Sequence, residues 1–172
     1  MPNRVLRRTR PFILRRTKAE ILQDLPPKIE HEVFLELTDR QKALYQQTVE
    51  QVRSTIDEAY RSKTSGQAQF IALTAILKLR QVCLSPRLLT KQPEERSPKL
   101  GFLMERLNVL REEGHSALVF SQFTSFLDLV QDACIQHGLP YHRLDGSTAS
   151  AARKARVKAF QTGDQPDVFL LS

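Results

Sequence analysis

The sequence predicts an α/β fold in which an all-helical segment precedes a small, partial parallel sheet. Apolar residues recur at helical spacing over residues 38–90. From residue 97 onward, short apolar runs alternate with helical patterns, which is typical of right-handed crossovers between parallel strands. Three such runs occur, so we expect the sheet to lack some of the neighbours that flank a complete one.

Proline residues and an alternating segment mark the start of the chain. Pro26 and Pro27 exclude a helix at that point, because proline lacks the backbone N–H and clashes with the preceding turn. The segment 29–37 then alternates apolar and polar side chains, with Val33 and Leu35 on one side. This alternation predicts a half-buried strand.

Two helices are predicted in the middle of the chain. Thr38 and Gln41 form a capping box, in which the two side chains satisfy the first free backbone N–H groups of a helix. Apolar side chains follow at intervals of three or four, namely Tyr45, Val49, Val52, Ile56 and Tyr60. After a loop at 62–66, a second helix over 67–82 is apolar on most faces, so we expect it to be buried.

Strands and helices alternate in the last part of the chain. Ser97 and Pro98 predict the start of a helix that ends near Gly114, because serine caps helices and proline suits the first helical position. A helix is also predicted over 148–161. The predicted strands are residues 117–120, 141–144 and 168–171.

The net charge of +7 comes from the amino-terminal end. Residues 1–18 carry seven arginine and lysine residues and no acid, so the remainder sums to zero. Such an arm suits either a solvated surface or a phosphate-binding strip.

No apolar run has the length of a membrane span, and no membrane partner is expected. Cys83 and Cys134 are far apart, and we expect reduced, buried thiols in a cytosolic protein, with no metal site.

Candidate ligand-binding residues follow the first two strands. Ser121 and Gln122 come after the first strand, and Gly146, Ser147 and Thr148 come after the second. Open parallel sheets bind ligands at the carboxyl ends of their strands, where helix starts favour anions such as nucleic-acid phosphates. The alternative for the second segment is a turn and helix cap with no ligand.

The parts that cleave ATP are not found in the sequence. No two of the six glycines are close enough for a phosphate-cradling GxxxxGK[ST] or GxGxxG loop. No pair of acids follows a buried strand as a magnesium site requires, and ATP cleavage needs both parts. We therefore assign no catalytic, cofactor-binding or metal-binding residue.

Six segments in order resemble the Swi/Snf-type remodelling ATPases of helicase superfamily two. They are the inter-lobe link (residues 12–18, FILRRTK, with 25–28, LPPK), the LRxxCxxP signature (79–86, LRQVCLSP), the entry to the second lobe (97–100, SPKL), motif IV (117–123, ALVFSQF), the following motif (141–148, YHRLDGST) and the strand before motif V (168–172, VFLLS). The resemblance runs from about residue 11 to the last residue.

The resemblance implies a motor with two RecA-like lobes, which binds ATP and magnesium between them and tracks along duplex DNA. Residues 1–37 are then a basic inter-lobe connector, 38–90 a helical insertion and 91–172 a partial RecA-like C-terminal helicase lobe. The chain would be a fragment that is inactive alone, because the nucleotide-binding lobe and the arginine finger belong to other parts of such motors. Its partners would be the backbone of double-stranded DNA and the N-terminal motor lobe, in the cytoplasm of a bacterium or archaeon and near the nucleoid.

The resemblance also implies roles for individual residues. Contacts to the DNA backbone fall on Ser121, Gln122, Gly146, Ser147, Thr148 and Arg153. A salt bridge that positions the helix is the alternative for Arg153. The connector residues that would brace the two lobes are Arg15, Arg16, Lys18 and Lys28.

Two alternatives to the motor fragment stay open. The first is a helical protein- or nucleic-acid-binding module without motor function, in which Tyr45 and Tyr60 would stay exposed on a protein-contact surface. The second is a stand-alone α/β enzyme, which the missing phosphate loop disfavours. The partial sheet further predicts an unpaired edge and marginal stability.

Overall fold

The computed structural model describes residues 8–14, 28–61, 65–90, 96–163, 165 and 167–172. It contains two compact units, Met1–Phe34 and Leu35–Ser172. In the first unit, a 3-10 turn spans Arg10–Phe12 and the side chain of Phe12 is exposed. Lys28 pairs with Glu30 at the surface. The other expected connector residues, Arg15, Arg16 and Lys18, lie outside the described residues.

The predicted strand over residues 29–37 is wrong. No helix or strand includes residues 28–38, and the side chains of Ile29, Val33 and Phe34 are exposed. Alternation shows that a segment could present one apolar face, but a strand also needs a neighbouring strand to accept and donate its hydrogen bonds.

The helical segment consists of α1 (Asp39–Arg61), α2 (Ser65–Leu84) and the short α3 (Arg87–Thr90). The capping box is confirmed, because the Gln41 backbone N–H donates to Thr38 Oγ1 at 3.2 Å and the Thr38 N–H donates to Gln41 Oε1 at 3.1 Å. The Gln41 side chain is fully buried and donates from Nε2 to the carbonyl of Val82 at 2.9 Å. It therefore ties the start of α1 to the end of α2.

The expectation that the second helix is buried is wrong for one of its faces. Ala75 and Val82 are buried, but the apolar side chains of Phe70, Leu73, Ile76 and Leu77 are exposed, Phe70 to 73%. Helix α2 packs against α1 and α3. These neighbours cover one stripe of the helix, since a helix buries only the face that meets a partner.

The remaining elements alternate as predicted. They are α4 (Pro98–Glu112), β1 (Ala117–Phe120), α5 (Thr124–Gln136), β2 (Tyr141–Leu144), α6 (Ser150–Thr162) and β3 (Val168–Leu171). Ser97 Oγ accepts the Leu100 N–H at 3.2 Å, so the predicted cap of α4 is confirmed. Helix α4 leads into Gly114, whose φ of 78° is accessible to glycine at little cost.

The described strands form a parallel sheet in the order β1-β3-β2. All three strands lie where the sequence predicted them, and β1 and β2 are each paired on one side only. The register aligns Phe120, Leu171 and Leu144, so the carboxyl ends of the strands are level. Within the described residues, no helix combines the length and apolar character needed to cross a membrane.

The core lies between the sheet and helices α4 and α5. Its buried members are Met104, Leu107, Phe126, Leu127, Val130, Ala133, Cys134, Leu139, Val168 and Leu170. On the other face, Phe160 of α6 packs edge-on against Phe169 of β3, with ring centroids 5.1 Å apart. Leu118 and Phe120 of β1 are exposed. Helix α6 also packs against β2, so it covers the β2 and β3 side of this face and leaves these two β1 side chains open.

Candidate nucleic-acid interface

The two predicted phosphate-binding loops lie at the same edge of the sheet. The Ser121 N–H donates to the Leu171 carbonyl at 3.0 Å, and the Ser172 N–H donates to the Leu144 carbonyl at 3.2 Å. These bonds extend the pairing of β1 and β2 with the central strand β3. Since neighbouring strands are about 4.8 Å apart, the two loops are separated by about 10 Å along this edge.

The first loop, residues 121–123, is held by one hydroxyl. Ser121 Oγ accepts the Phe123 N–H at 3.1 Å and donates to the Phe123 carbonyl at 3.3 Å. The next residue, Gln122, is exposed, so its amide is presented to solvent. Helix α5 begins directly afterwards, and no described side chain caps it. Its first backbone N–H groups therefore lie beside Gln122.

The second loop, residues 145–148, is organised around the Asp145 carboxylate. Asp145 Oδ1 accepts the Ser147 hydroxyl at 2.6 Å and the Ser147 N–H at 3.0 Å. Thr148 Oγ1 accepts the Asp145 N–H at 3.1 Å. The side chains of Ser147 and Thr148 thus build the turn, which is the ligand-independent role that the sequence left open for them.

Helix α6 begins at Ser150, two residues after the predicted start at Thr148. Its N-cap is Ala149, and no described side chain supplies a capping hydrogen bond. Ala149, Ser150 and Ala151 are exposed. The backbone N–H groups of a first helical turn have no partner within the helix and carry partial positive charge. The anion-favouring donors of this loop therefore lie at 149–151, just past the residues that the sequence selected.

Arg153 braces the same turn through backbone carbonyls. Its Nε donates to the Thr148 carbonyl at 3.0 Å and its Nη2 to the Asp145 carbonyl at 2.8 Å. Among the described residues Arg153 forms no ion pair, so the helix-positioning salt bridge is not observed. The contacts to the two backbone carbonyls hold the start of the helix instead. Gly146 is exposed and has open space at the position of a Cβ atom. Packing therefore does not demand glycine there.

Arg143 of β2 is a residue that sequence reasoning did not select. Its Nε donates to Asp145 Oδ2 at 2.9 Å, and its Nη1 donates to Asp128 Oδ1 at 2.5 Å. Burial lowers the pKa of the guanidinium, but the hydrogen bonds to Asp128 and Asp145 outweigh burial and raise it. The position of Arg143 two residues before Asp145 could have indicated their contact, because residues i and i+2 of a strand share a face.

Arg143 and Arg156 line a cavity of about 440 Å³ beside the second loop, together with Asp145, Ser147, Thr148, Ala149 and Ala152. The exposed Arg156 on α6 also donates from Nη1 to the Arg143 carbonyl. Sequence reasoning missed Arg156 as well, although its spacing of three from Arg153 places both on neighbouring turns of one helix.

A second cavity, of about 370 Å³, joins the helical segment to the first loop. Its lining includes Tyr45, Arg80 and Cys83 from the helices and Gln122 and Phe123 from the loop. The Arg80 guanidinium lies 5.8 Å from the centre of the Phe123 ring, within the range of a cation–π contact. Tyr45 is half-buried in this cavity, whereas the alternative of a protein-contact surface predicted that its side chain would be exposed. The side chain of Tyr60 lies outside the described residues.

The Asp145 carboxylate is stabilised in its charged form. Hydrogen bonds from the Ser147 hydroxyl and then from the Ser147 N–H, with a smaller contribution from Arg143, lower its pKa from 3.8 to about 2, although burial acts in the opposite direction. A carboxylate that accepts several hydrogen bonds in the folded state stays charged to lower pH.

We expect this shift to appear as an acid-dependent loss of stability. The folded pKa of about 2 lies below the unfolded value of 3.8, so the contribution of Asp145 is fully present above pH 3.8 and is lost as the pH falls through about 2. Urea unfolding of the native chain and of Asp145→Asn between about pH 6 and pH 2 checks it. The difference in the free energy of unfolding between the native chain and Asp145→Asn should be constant at higher pH and decrease below about pH 4. A difference that is independent of pH would contradict the assignment.

Comparison with known proteins identifies the family. The model of the SNF2-related domain matches residues 2–88, which is just over half of the chain. The chain belongs to the SNF2-related family. The model of the helicase conserved C-terminal domain matches residues 98–172. The parallel sheet is therefore that of the RecA-like C-terminal lobe of a Swi/Snf-type ATPase of helicase superfamily two.

Curated relatives of this SNF2-related chain occur in animals and bacteria. It is 37% identical to the Chromodomain-helicase-DNA-binding protein 1-like of Danio rerio, over 94% of the chain and 16% of that protein. It is 32% identical to the Putative ATP-dependent helicase/translocase YwqA of Bacillus subtilis, over 94% of the chain and 18% of that protein. The chain thus spans less than a fifth of the length of either relative.

Solved structures give the same result. The Sulfolobus solfataricus SWI2/SNF2 ATPase core in complex with dsDNA has a TM-score of 0.75 and 30% sequence identity, and the match covers 99% of this SNF2-related chain and 36% of that one. The Sulfolobus solfataricus SWI2/SNF2 ATPase C-terminal domain has a TM-score of 0.69 at 26% identity, over 79% of this chain and 59% of that one. The confirmed fold therefore includes the helical segment as well as the sheet.

Proposed function

We propose that this chain supplies the DNA-backbone-contacting edge of the second motor lobe in an ATP-dependent DNA translocase. The observation that supports it most is the match over 99% of the chain to a SWI2/SNF2 ATPase core in complex with dsDNA. In this proposal residues 1–37 serve as the inter-lobe connector, 38–90 as the helical insertion and 91–172 as part of the C-terminal lobe. Arg15, Arg16, Lys18 and Lys28 brace the two lobes.

The edge binds phosphates through donors that point to solvent. The Gln122 amide and the N–H groups at the start of α5 contact one phosphate, and the N–H groups at the start of α6 contact another. Gly146 allows the sugar–phosphate backbone to approach the second loop closely. Ser121, Ser147, Thr148 and Arg153 contribute by holding the two loops in shape.

ATP and magnesium act in the whole motor, at a site that its other parts supply. The glycines of this chain do not form a phosphate-cradling loop. The described residues also contain no cluster of three or more His, Cys, Asp or Glu side chains that could hold a metal ion. We therefore derive no hydrolysis step from these residues.

Binding of a fluorescein-labelled DNA duplex, measured by anisotropy, tests the proposal. We expect the affinity to fall as the salt concentration rises, because a chain with a net charge of +7 releases counterions when its lysine and arginine residues neutralise phosphates. We expect Gln122→Ala to weaken binding roughly 2- to 10-fold, which is the range for one lost hydrogen bond. Gln136→Ala is the matched control, because Gln136 is an exposed glutamine at the opposite end of α5. It should leave the affinity unchanged.

Two outcomes would argue against this function. Duplex binding that does not change with salt would exclude neutralisation of phosphates by the basic residues of the chain. Equal losses in Gln122→Ala and Gln136→Ala would show that the carboxyl-end edge of the sheet is not the contact surface.

A protein contact through residues 38–90 is the second candidate role. The exposed apolar side chains of α2, with Phe70 the most exposed of them, favour it, because contiguous apolar patches commonly mark protein-binding sites. We propose the N-terminal motor lobe as the protein that packs there. The two roles separate in the same assay, since Phe70→Ser should leave the DNA affinity of the chain unchanged.

A further inference from the structure

We propose that Arg143 is a positioning residue that holds the two loops of the DNA-facing edge in one fixed arrangement. This inference rests on the proposed function, because it assigns Arg143 to the same edge. It concerns a side chain that does not itself contact DNA.

The three guanidinium nitrogens of Arg143 all have partners within the protein. Nε donates to Asp145, and Nη1 donates to Asp128 and, at 3.2 Å, to Gln131 Oε1. Nη2 lies 3.5 Å from the Thr124 carbonyl, at the far limit of a hydrogen bond. The side chain is 18% exposed. A guanidinium occupied in this way has little capacity left to hold a phosphate.

These partners lie in the second loop and on α5, the helix that directly follows the first loop. Thr124 is the first residue of α5 and directly follows the loop that presents Gln122. Asp145 is the carboxylate around which the second loop is built. The planar guanidinium has donors in a fixed fork, so one side chain sets the distance and orientation between its partners. Lysine cannot do this, because its ammonium is a single point charge on a flexible stem.

A third element is linked to the same residue. Arg156 of α6 donates from Nη1 to the Arg143 backbone carbonyl. Helices α5 and α6 and strand β2 therefore meet at Arg143. The two sets of helical N–H groups proposed to contact two phosphates are held relative to each other through this residue. A rigid spacing lets both sets bind without first being ordered, which is the usual benefit of preorganisation.

Arg143→Gln separates positioning from direct contact. Removal of a phosphate-binding arginine lowers the affinity and also reduces the salt slope by about one. Loss of a positioning residue lowers the affinity with the slope unchanged. We expect a roughly 10-fold loss with an unchanged slope, and Arg143→Lys should recover little of it. Arg111→Gln is the matched control, because Arg111 also donates to a backbone carbonyl, that of Gly138 on the amino side of β2.

Hydrogen exchange supplies a readout that does not depend on DNA. In Arg143→Gln we expect faster exchange at the amides of residues 121–127 and 145–153, while α1 and α2 keep their protection. If the glutamine variant does not fold, as judged by circular dichroism, Arg143→Lys takes its place in the hydrogen-exchange measurement, because lysine keeps the charge but lacks the fork of donors. The last measurement is the DNA affinity of the double variant that combines Arg143→Gln with Gln122→Ala. A positioning role predicts that the affinity losses of the two single variants do not add in it.

The outcomes separate the two proposals. If the native chain shows no salt-dependent duplex binding, the proposed function is wrong, and hydrogen exchange alone decides whether Arg143 holds the loops together. If the native chain binds and Arg143→Gln reduces the salt slope by about one, or leaves loop exchange unchanged, the positioning role is wrong and the function stands. Both proposals are supported if three results are found together. The salt slope is the same in the native chain and in Arg143→Gln, the loop amides of the variant exchange faster, and the affinity losses of the two single variants do not add.

Discussion

Replacing Leu127 with alanine is expected to lower the free energy of unfolding by about 3–4 kcal/mol. Leu127 is fully buried on α5, within the cluster between the sheet and α4 that also contains Leu170 and Val130. The change removes apolar contacts and leaves a cavity that closely packed neighbours only partly fill. Since whole domains are stable by only about 5–15 kcal/mol, this single change removes a large share of the total.

Urea unfolding followed by circular dichroism measures this effect. The matched control is Leu118→Ala, which makes the same chemical change at a β1 side chain that is 55% exposed. We expect the control to change the unfolding free energy by less than about 1 kcal/mol, as is usual for surface positions. If both variants lost the same stability, the core would not lie between the sheet and helices α4 and α5.

Replacing Gln41 with alanine is expected to reduce stability by about 2–3 kcal/mol. Its buried side chain accepts hydrogen bonds at Oε1 from the N–H and hydroxyl of Thr38 and donates from Nε2 to the Val82 carbonyl. Truncation leaves a buried carbonyl and a helix-start N–H without partners, and such groups destabilise more than the loss of one average hydrogen bond. The loss should appear first as weaker protection of α1 and α2 against hydrogen exchange.

Gln46→Ala is the control for this prediction, because Gln46 is an exposed glutamine on the same helix. Its effect should stay within about 0.5 kcal/mol. A Gln41 variant as stable as the native chain would mean that the capping box and the link to Val82 contribute no stability to the helical segment.

The partial sheet explains why core changes should have large effects. The described strands β1 and β2 each have one paired side, and Leu118 and Phe120 of β1 remain exposed. Less apolar surface is therefore buried per residue than in a sheet covered on both faces. The prediction of marginal stability from the sequence stays a prediction, which the same unfolding experiments measure.

Much of the candidate site was predictable because its signals are local. The strand ends that place Ser121 and Asp145 follow from short apolar runs bounded by polar residues, and all three strands occur where those runs lie. The cap at Ser97 and the capping box at Thr38 were predictable for the same reason, since a cap bonds to residues only two or three positions away. The family itself followed from short sequence motifs, which the matches to both domain models confirm.

The parts that were wrong or missed depend on residues that are distant in the chain. Residues 29–37 carry the alternation of a strand but have no neighbouring strand to pair with among the described residues. The apolar pattern of α2 indicates a face suited to burial, yet α1 and α3 cover only part of it. Arg143 gives no local sign that it reaches Asp128 on another element.

The sequence by itself predicted the three strands, the longer helices of residues 38–172 to within a few residues, the family and the two loops at the strand ends, but not the short helix α3. The tertiary structure alone decided that these loops share an edge about 10 Å wide, that the hydroxyls of Ser147 and Thr148 build a turn, and that Arg143 connects that turn to α5. The physical reason is that backbone preference and capping act over a few residues. Burial, strand order and ion pairing exist only once distant segments have packed together.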